Sequence, residues 1–427
     1  MPDLLKKYLR PTGILSCLCL LGDSMLYIVL PLHWQSTGLQ SFAQVGILLS
    51  INRFIRVLLH PVLMSVFKHF SLSAIFKFAG VLAAIHTFIF AMTGNFLILL
   101  IARVLWGIAW TLIRQGSQLQ VIELTVSSND FRAYAGNATG YYLGISRIGS
   151  FAGIGAAALL TLFISLQTIA AIFGIALALY LVWILQPGNF VITDETDHLS
   201  RVSLEKTRAS TGQPFSVSDV LILLILGFIV SFAMHGILRS STPLLMSYHL
   251  REIHLATTVS AIFLALRWGW DPFILSKIGR FFDRSRKSPA QKILPTQFVT
   301  KPDKQGFFLS IHPAVWVAIF GAVSFSMCTQ NFIPYIWIFF LLITLLSDSV
   351  LSVFIDAEAA FAGQIIERRK LTAVYSTACD LGAALGPFIT YLLYPTIGIH
   401  GIILMGGGVI LLSSVFIYLK TQYSAGQ

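Results

Sequence analysis

The stretch "CDLGAALGP" (residues 379–387) has a near-copy in "RIGSFAGI" (residues 147–154), and comparing the two decides how the chain reads. Each carries two glycines four residues apart, Gly382 and Gly386 in one and Gly149 and Gly153 in the other. Small residues at that spacing share one helix face and let backbones approach closely in a membrane. Two positions before the first glycine stands a charge, Asp380 in one copy and Arg147 in the other. Helix packing accounts for the glycines. It does not account for the charges.

The surroundings of both copies are apolar. Of the 427 residues 56% are hydrophobic and 11% charged, against about 25% charged in a soluble chain. Runs of roughly 20 apolar residues, enough to cross a bilayer, recur from Pro11 to Leu419, and twelve can be counted. The composition thus predicts an all-α polytopic membrane protein. The net charge of +11 does not require nucleic acid. With the N-terminus inside, Lys6, Lys7, Arg10, Lys68, the basic stretch 277–307, Arg368, Arg369 and Lys420 fall on the cytoplasmic side, while the outer loops hold only Arg251. That asymmetry places both termini in the cytoplasm. The first span continues past Asp23 to Pro31 without a small-residue cleavage site and is expected to be retained. Cys17, Cys19, Cys328 and Cys379 all lie within spans and lack metal-ligand spacing, so no metal is expected.

Residues 187–218, mixed in charge and rich in Ser and Thr, read as a cytoplasmic linker. Six spans precede it (1–186) and six follow (219–427), which invites a repeat. Spans 5 and 11 match through the glycine stretches. Spans 1 and 7 match because Asp23 stands eight residues before Pro31 and His235 eight before Pro243; spans 2 and 8 match through Arg53 and Arg267.

Charges inside spans are costly, about 2.5–3.5 kcal/mol for Arg, Lys or Asp at a helix centre, and usually face an interior or a watery cavity. The candidates for substrate binding or coupling are Asp23, Arg53, Arg103, Arg147, His235, Arg239, Arg267, Asp348 and Asp380. Structural ion pairs between helices are the plainer alternative. Spans 3, 6, 9 and 12 carry almost no charge and are expected to face lipid. Cations slightly outnumber anions at mid-span, giving a mild preference for an anionic or zwitterionic solute.

Four stretches resemble the major facilitator superfamily: "GRFFDRSRK" (279–287), with Gly279, Asp283 and Arg284 in the pattern of its cytoplasmic loop signature; "RVLWG" (103–107); "GDSMLYIVLPLH" (22–33); and "DLGAALGP" (380–387). The resemblance implies twelve transmembrane helices in two pseudo-symmetric six-helix bundles and a conformational gate at the 279–284 loop. It implies a secondary transporter working by alternating access. Two departures stand out: the equivalent first-half loop reads "SVFKHF" (65–70), and Ile154 replaces a proline of the antiporter-type motif.

The expected function is therefore transport of a small organic solute by a monomer in a bacterial cytoplasmic (inner) membrane. It would run on the proton motive force without a cofactor, with Asp23, Asp348 and Asp380 as proton carriers and Arg103 and Arg147 as switches. The alternatives are efflux of amphipathic compounds and a non-transporting sensor. An enzyme is not expected, since no His-Glu-x-x-His, serine-protease-like pair or metal-spaced His/Cys cluster occurs.

Overall fold

The structure is a computed structural model that describes residues 3–126, 135–186, 190, 217–286, 304–330, 335–365 and 368–425. The described residues are helices and their connections, without a strand. Spans 1 to 6 form α1 (Asp3–His33), α2 (Phe42–His69), α3 (Leu72–Met92), α4 (Phe96–Val126), α5 (Ala135–Leu160) and α6 (Leu166–Leu185). Span 7 is composite: α7 (Val217–Val230), a π-helical segment π1 (Ser231–Leu238) and α8 (Arg239–Leu250). Spans 8, 9 and 10 form α9 (Ile253–Arg286), α10 (Lys304–Met327) and α11 (Ile336–Ile365). Spans 11 and 12 both lie in α12 (Arg368–Ala425).

Local chemistry sets several of these limits. Ser41, Ser71 and Ser165 cap α2, α3 and α6, each side chain accepting a backbone N–H three residues on, which satisfies a donor the helix leaves open. At 58 residues α12 would extend about 87 Å if straight, far beyond a hydrocarbon core of about 30 Å. Gly398, at φ 63° and ψ −174°, divides it into two membrane passes. That backbone region is essentially reserved for glycine. At the other extreme α9 continues to Arg286, so Gly279, Asp283 and Arg284 lie on a helix end where a loop was expected. The reason is visible in the sequence: the first proline after Pro272 is Pro289, and nothing before it forces the helix to stop at the membrane surface.

Contacts group the chain into two units, Met1–Arg208 with His249–Ala265, and Ala209–Tyr248 with Leu266–Gln427. In the first unit α1 packs on α5, α2 on α4, and α3 on both α4 and α6, around Leu15, Phe76, Ala79, Trp106 and Leu177. The start of α9 belongs to this unit: His33 Nε2 lies 3.1 Å from Thr257 Oγ1, and the rings of His33 and His254 are 6.2 Å apart. In the second unit α12 packs on α7, π1, α10 and α11, and α10 packs on α11. Apolar side chains are exposed on the weakly charged helices, among them Phe78 on α3, Leu179 on α6, Trp316 on α10 and Leu412 on α12, and on the others too, such as Leu58 on α2, Ile101 on α4 and Ile262 on α9.

The glycine stretches make the same contact in each unit. A Cβ on Gly149 would strike the backbone carbonyl of Cys17, and one on Gly153 would stand 2.6 Å from the Leu21 carbonyl, both on α1. A Cβ on Gly382 would strike the Phe228 carbonyl on α7, and Gly386 abuts Gly236 of π1. Backbone cannot yield as a flexible side chain can. Gly149→Ala and Gly386→Ala should each lower the thermal unfolding midpoint of the detergent-purified protein, by about 1–3 kcal/mol of stability. Gly155→Ala, where nothing lies within 4 Å of an added Cβ, should leave the midpoint unchanged or raise it slightly.

Candidate functional site

The buried charges form one polar centre in each unit. In the first, Asp23 of α1 is 7% exposed and Arg103 of α4 is 0% exposed. Arg103 Nη1 donates to Asp23 Oδ1 at 2.5 Å, and its Nε donates to the Leu48 carbonyl of α2 at 2.8 Å. One guanidinium thus ties three helices together. Arg53 is buried close by in sequence to that carbonyl, with its guanidinium 5.9 Å from the Tyr27 ring centroid. Trp106, one turn beyond Arg103, stacks between His86 and Trp110 at 5.3 and 5.7 Å. It is a core residue rather than a surface on which a solute could stack.

The second centre is built differently. Arg267 of α9 pairs through Nε with Oδ2 of Asp348 on α11. His235 of π1 places Nε2 3.4 Å from Asp348 Oδ1, 3.3 Å from Arg267 Nη2 and 3.0 Å from Ser352 Oγ. Ser352 donates its own proton to the Asp348 carbonyl at 2.7 Å, so its Oγ is left to accept. The imidazole therefore has two arrangements. With a proton on Nε2 it donates to Ser352 or Asp348; without one, its lone pair accepts from Arg267. Trp268 lies beneath two guanidinium groups, Arg267 at 5.0 Å and Arg239 of α8 at 5.5 Å from its ring centroid. Trp270 Nε1 donates to Ser349 at 3.1 Å.

The backbone at this centre is itself unusual. His235 sits inside the π-helical segment, where the wider turn changes which side chains share a face, and such segments are frequent at functional sites. No hydropathy pattern in the sequence signals it. Ser352 was not prominent in the sequence, although it follows Asp348 by one helical turn. That proximity was the available signal.

The remaining candidates are dispersed. Arg147 is half-buried on α5 and Asp380 is buried on α12, in different units. The side chains of Gly279, Asp283 and Arg284 lie outside those described, as does that of Asp271. Asp348 pairs with Arg267, and Asp23 with Arg103. Among the described residues no group of three His, Cys, Asp or Glu could hold a metal ion.

By sequence, no family model and no curated protein matches the chain. Solved structures do. The nucleoside transporter NupG superposes with a TM-score of 0.69 at 11% identity, covering 97% of this chain and 98% of that one. The human organic anion transporter MFSD10 gives 0.60 at 14% identity over 97% and 99%. A POT family transporter in complex with 5-aminolevulinic acid gives 0.66 at 13% over 97% and 96%. The chain has the major facilitator fold. Twelve membrane passes in two six-helix bundles follow from that fold, and one polar centre lies in each half of the chain. At such low identity the likeness concerns the fold alone.

Removing one partner of a buried pair leaves the other charge uncompensated. Asp348→Ala should destabilise the protein by about 3–5 kcal/mol, read as a fall in the thermal unfolding midpoint. Replacing both partners, Asp348→Leu with Arg267→Met, should recover most of that loss.

Proposed function

We propose that the chain is a proton-coupled secondary transporter that moves a small organic solute by alternating access, with a mild preference for anionic or zwitterionic solutes. The observation that carries this reading is the His235–Asp348–Arg267 centre, where one proton position chooses between two sets of partners. A coupling site needs such a bistable element, because a bound proton must favour one conformation over another. Solute and proton then influence each other's binding reciprocally. Asp23 and Arg103, closed against each other and against α2, serve in this reading as a structural clasp of the first bundle.

The fold supports the reading by analogy, since the solved structures that share it include transporters of nucleosides and organic anions. The protein would work as a monomer in the cytoplasmic membrane of a bacterium, with both termini inside. It would need no cofactor beyond the proton gradient. The cation-bearing centre of the second bundle fits amphipathic drug efflux less well, because such a cavity is expected to be largely apolar.

Proteoliposomes loaded with a pH-sensitive dye test the coupling. Uridine, benzoate and 5-aminolevulinate are added in turn under an imposed pH gradient. The wild type should couple proton entry to at least one of them. Asp348→Asn should lose gradient-driven accumulation of that solute while retaining solute exchange at equal pH. Accumulation with unchanged pH dependence in the variant would remove Asp348 from the coupling step.

A further inference from the structure

We infer that one acyl chain of a membrane phospholipid lies in the groove between α10 and α11. The inference stands on the twelve-pass fold and is independent of proton coupling. The groove has a volume of about 600 Å³, within the range of ligand-sized sites. Its walls are Trp316, Phe320 and Val323 on α10 and Ile343, Leu346 and Val350 on α11, and among the described lining residues only Ser347 is polar. Gly321 sits where the two helices touch, since a Cβ there would stand 2.7 Å from the Ser347 Cβ. Consecutive passes run antiparallel, so Trp316 and Val350 lie to one side of that crossing and Val323 and Ile343 to the other. From Trp316 to Val323 the groove follows the seam between the helices for about 10 Å.

Depth and shape point to the occupant. The lining residues all fall in the apolar stretches Val315–Met327 and Ile336–Ser352, which places the groove at hydrocarbon depth. Its Trp316 end marks the headgroup level. The Trp316 ring is 6.3 Å from that of Tyr418, which lies past the apolar stretch that ends at Val415 and two residues before Lys420. Trp and Tyr gather where a bilayer meets water. From that end the groove runs along the helices into the bilayer, which is the course of a lipid chain. Trp316, Phe320 and Leu346 are exposed, so the groove opens on an apolar surface that in a membrane meets lipid. A second helix suits it less well, because membrane helices associate through small residues that let backbones approach, and this rim is bulky. The groove also backs onto the polar centre. Ser347 precedes Asp348, and Met234, whose methyl would stand 3.6 Å from the same Cβ on Gly321, precedes His235.

Brominated lipid tests this, because bromine quenches an indole only near contact. The full-length protein, stripped of lipid in dodecyl maltoside, is titrated with dibromostearoyl phosphatidylcholine. The Trp316 part of the fluorescence, taken as wild type minus W316F, should be quenched saturably. The part from Trp183, an exposed indole on α6, should fall in proportion to added lipid without saturating. V323F and V350F, which fill the groove, should weaken the affinity read at Trp316 at least tenfold, the equivalent of about two buried methylenes lost. Lipid should also raise the unfolding midpoint of the wild type more than that of V323F. This comparison decides the matter if W316F does not yield a monodisperse protein. Unsaturable quenching at Trp316, wild-type affinity in V323F and V350F, or equal stabilisation of V323F by lipid would overturn the inference. So would a dimer, seen by light scattering, in which Trp316 is shielded from brominated lipid, since a second copy then fills the groove. Dye-loaded proteoliposomes separate the inference from the proposed function. A protein that binds the chain but moves no proton keeps the groove and loses the coupling mechanism. One that couples proton entry yet fails the quenching test does the reverse.

Discussion

Two helix pairs are brought together so closely that no side chain fits between them, and each bundle is organised by one of these contacts. In the first, Gly149 and Gly153 let α5 meet the backbone of α1 at Cys17 and Leu21; in the second, Gly382 and Gly386 let α12 meet α7 and π1 at Phe228 and Gly236. Lipid tails are as apolar as the helix surfaces, so hydrophobic burial does little to hold membrane helices together. Close packing does more. The contact also fixes depth. Leu21 precedes Asp23 by half a turn and Gly236 follows His235 directly, so the glycine seam sets where each polar centre stands.

The two bundles keep the positions of their polar groups and exchange the signs. In the first, an acid on α1 meets a guanidinium on α4. In the second, the equivalent first helix contributes His235 and the equivalent fourth helix contributes the acid, Asp348. The glycine stretches show the same exchange, Arg147 in one and Asp380 in the other. A doubled chain that retained identical charges would carry two similar clasps. Exchanging them leaves one half closed on a full ion pair and gives the other a titratable imidazole beside a pair. The second half also has the π-helical segment, so an irregular backbone and an ionisable side chain occur together. Irregular helix geometry at membrane depth is tolerated where neighbouring groups satisfy the backbone.

Much of this was legible in the residues. The number of passes follows from apolar runs of bilayer length, and the repeat from matching glycines and prolines. Asp23, Arg103, His235, Arg267 and Asp348 stood out because ionisable groups in spans are costly. Their partners were not legible. Arg103 could equally have met Asp348 or Asp380, because pairing depends on helix order and rotation, which a linear pattern of apolar residues does not encode. Asp348 meets Arg267, and Arg103 meets Asp23, for this reason. The end of α9 was misplaced for another: hydropathy reports where the membrane stops, whereas helix termination depends on breakers and caps.

By itself, then, the sequence determined the class and the number of passes, since these rest on the energy of placing apolar and charged residues in a bilayer, which each residue contributes nearly independently. Tertiary structure alone decided that Asp348 closes on Arg267, that His235 stands between them beside Ser352, and that Arg239 lies over Trp268. These are distances between residues tens of positions apart, set by the glycine seam, the helix rotations and a π-turn whose energy is too small and too local to show in composition.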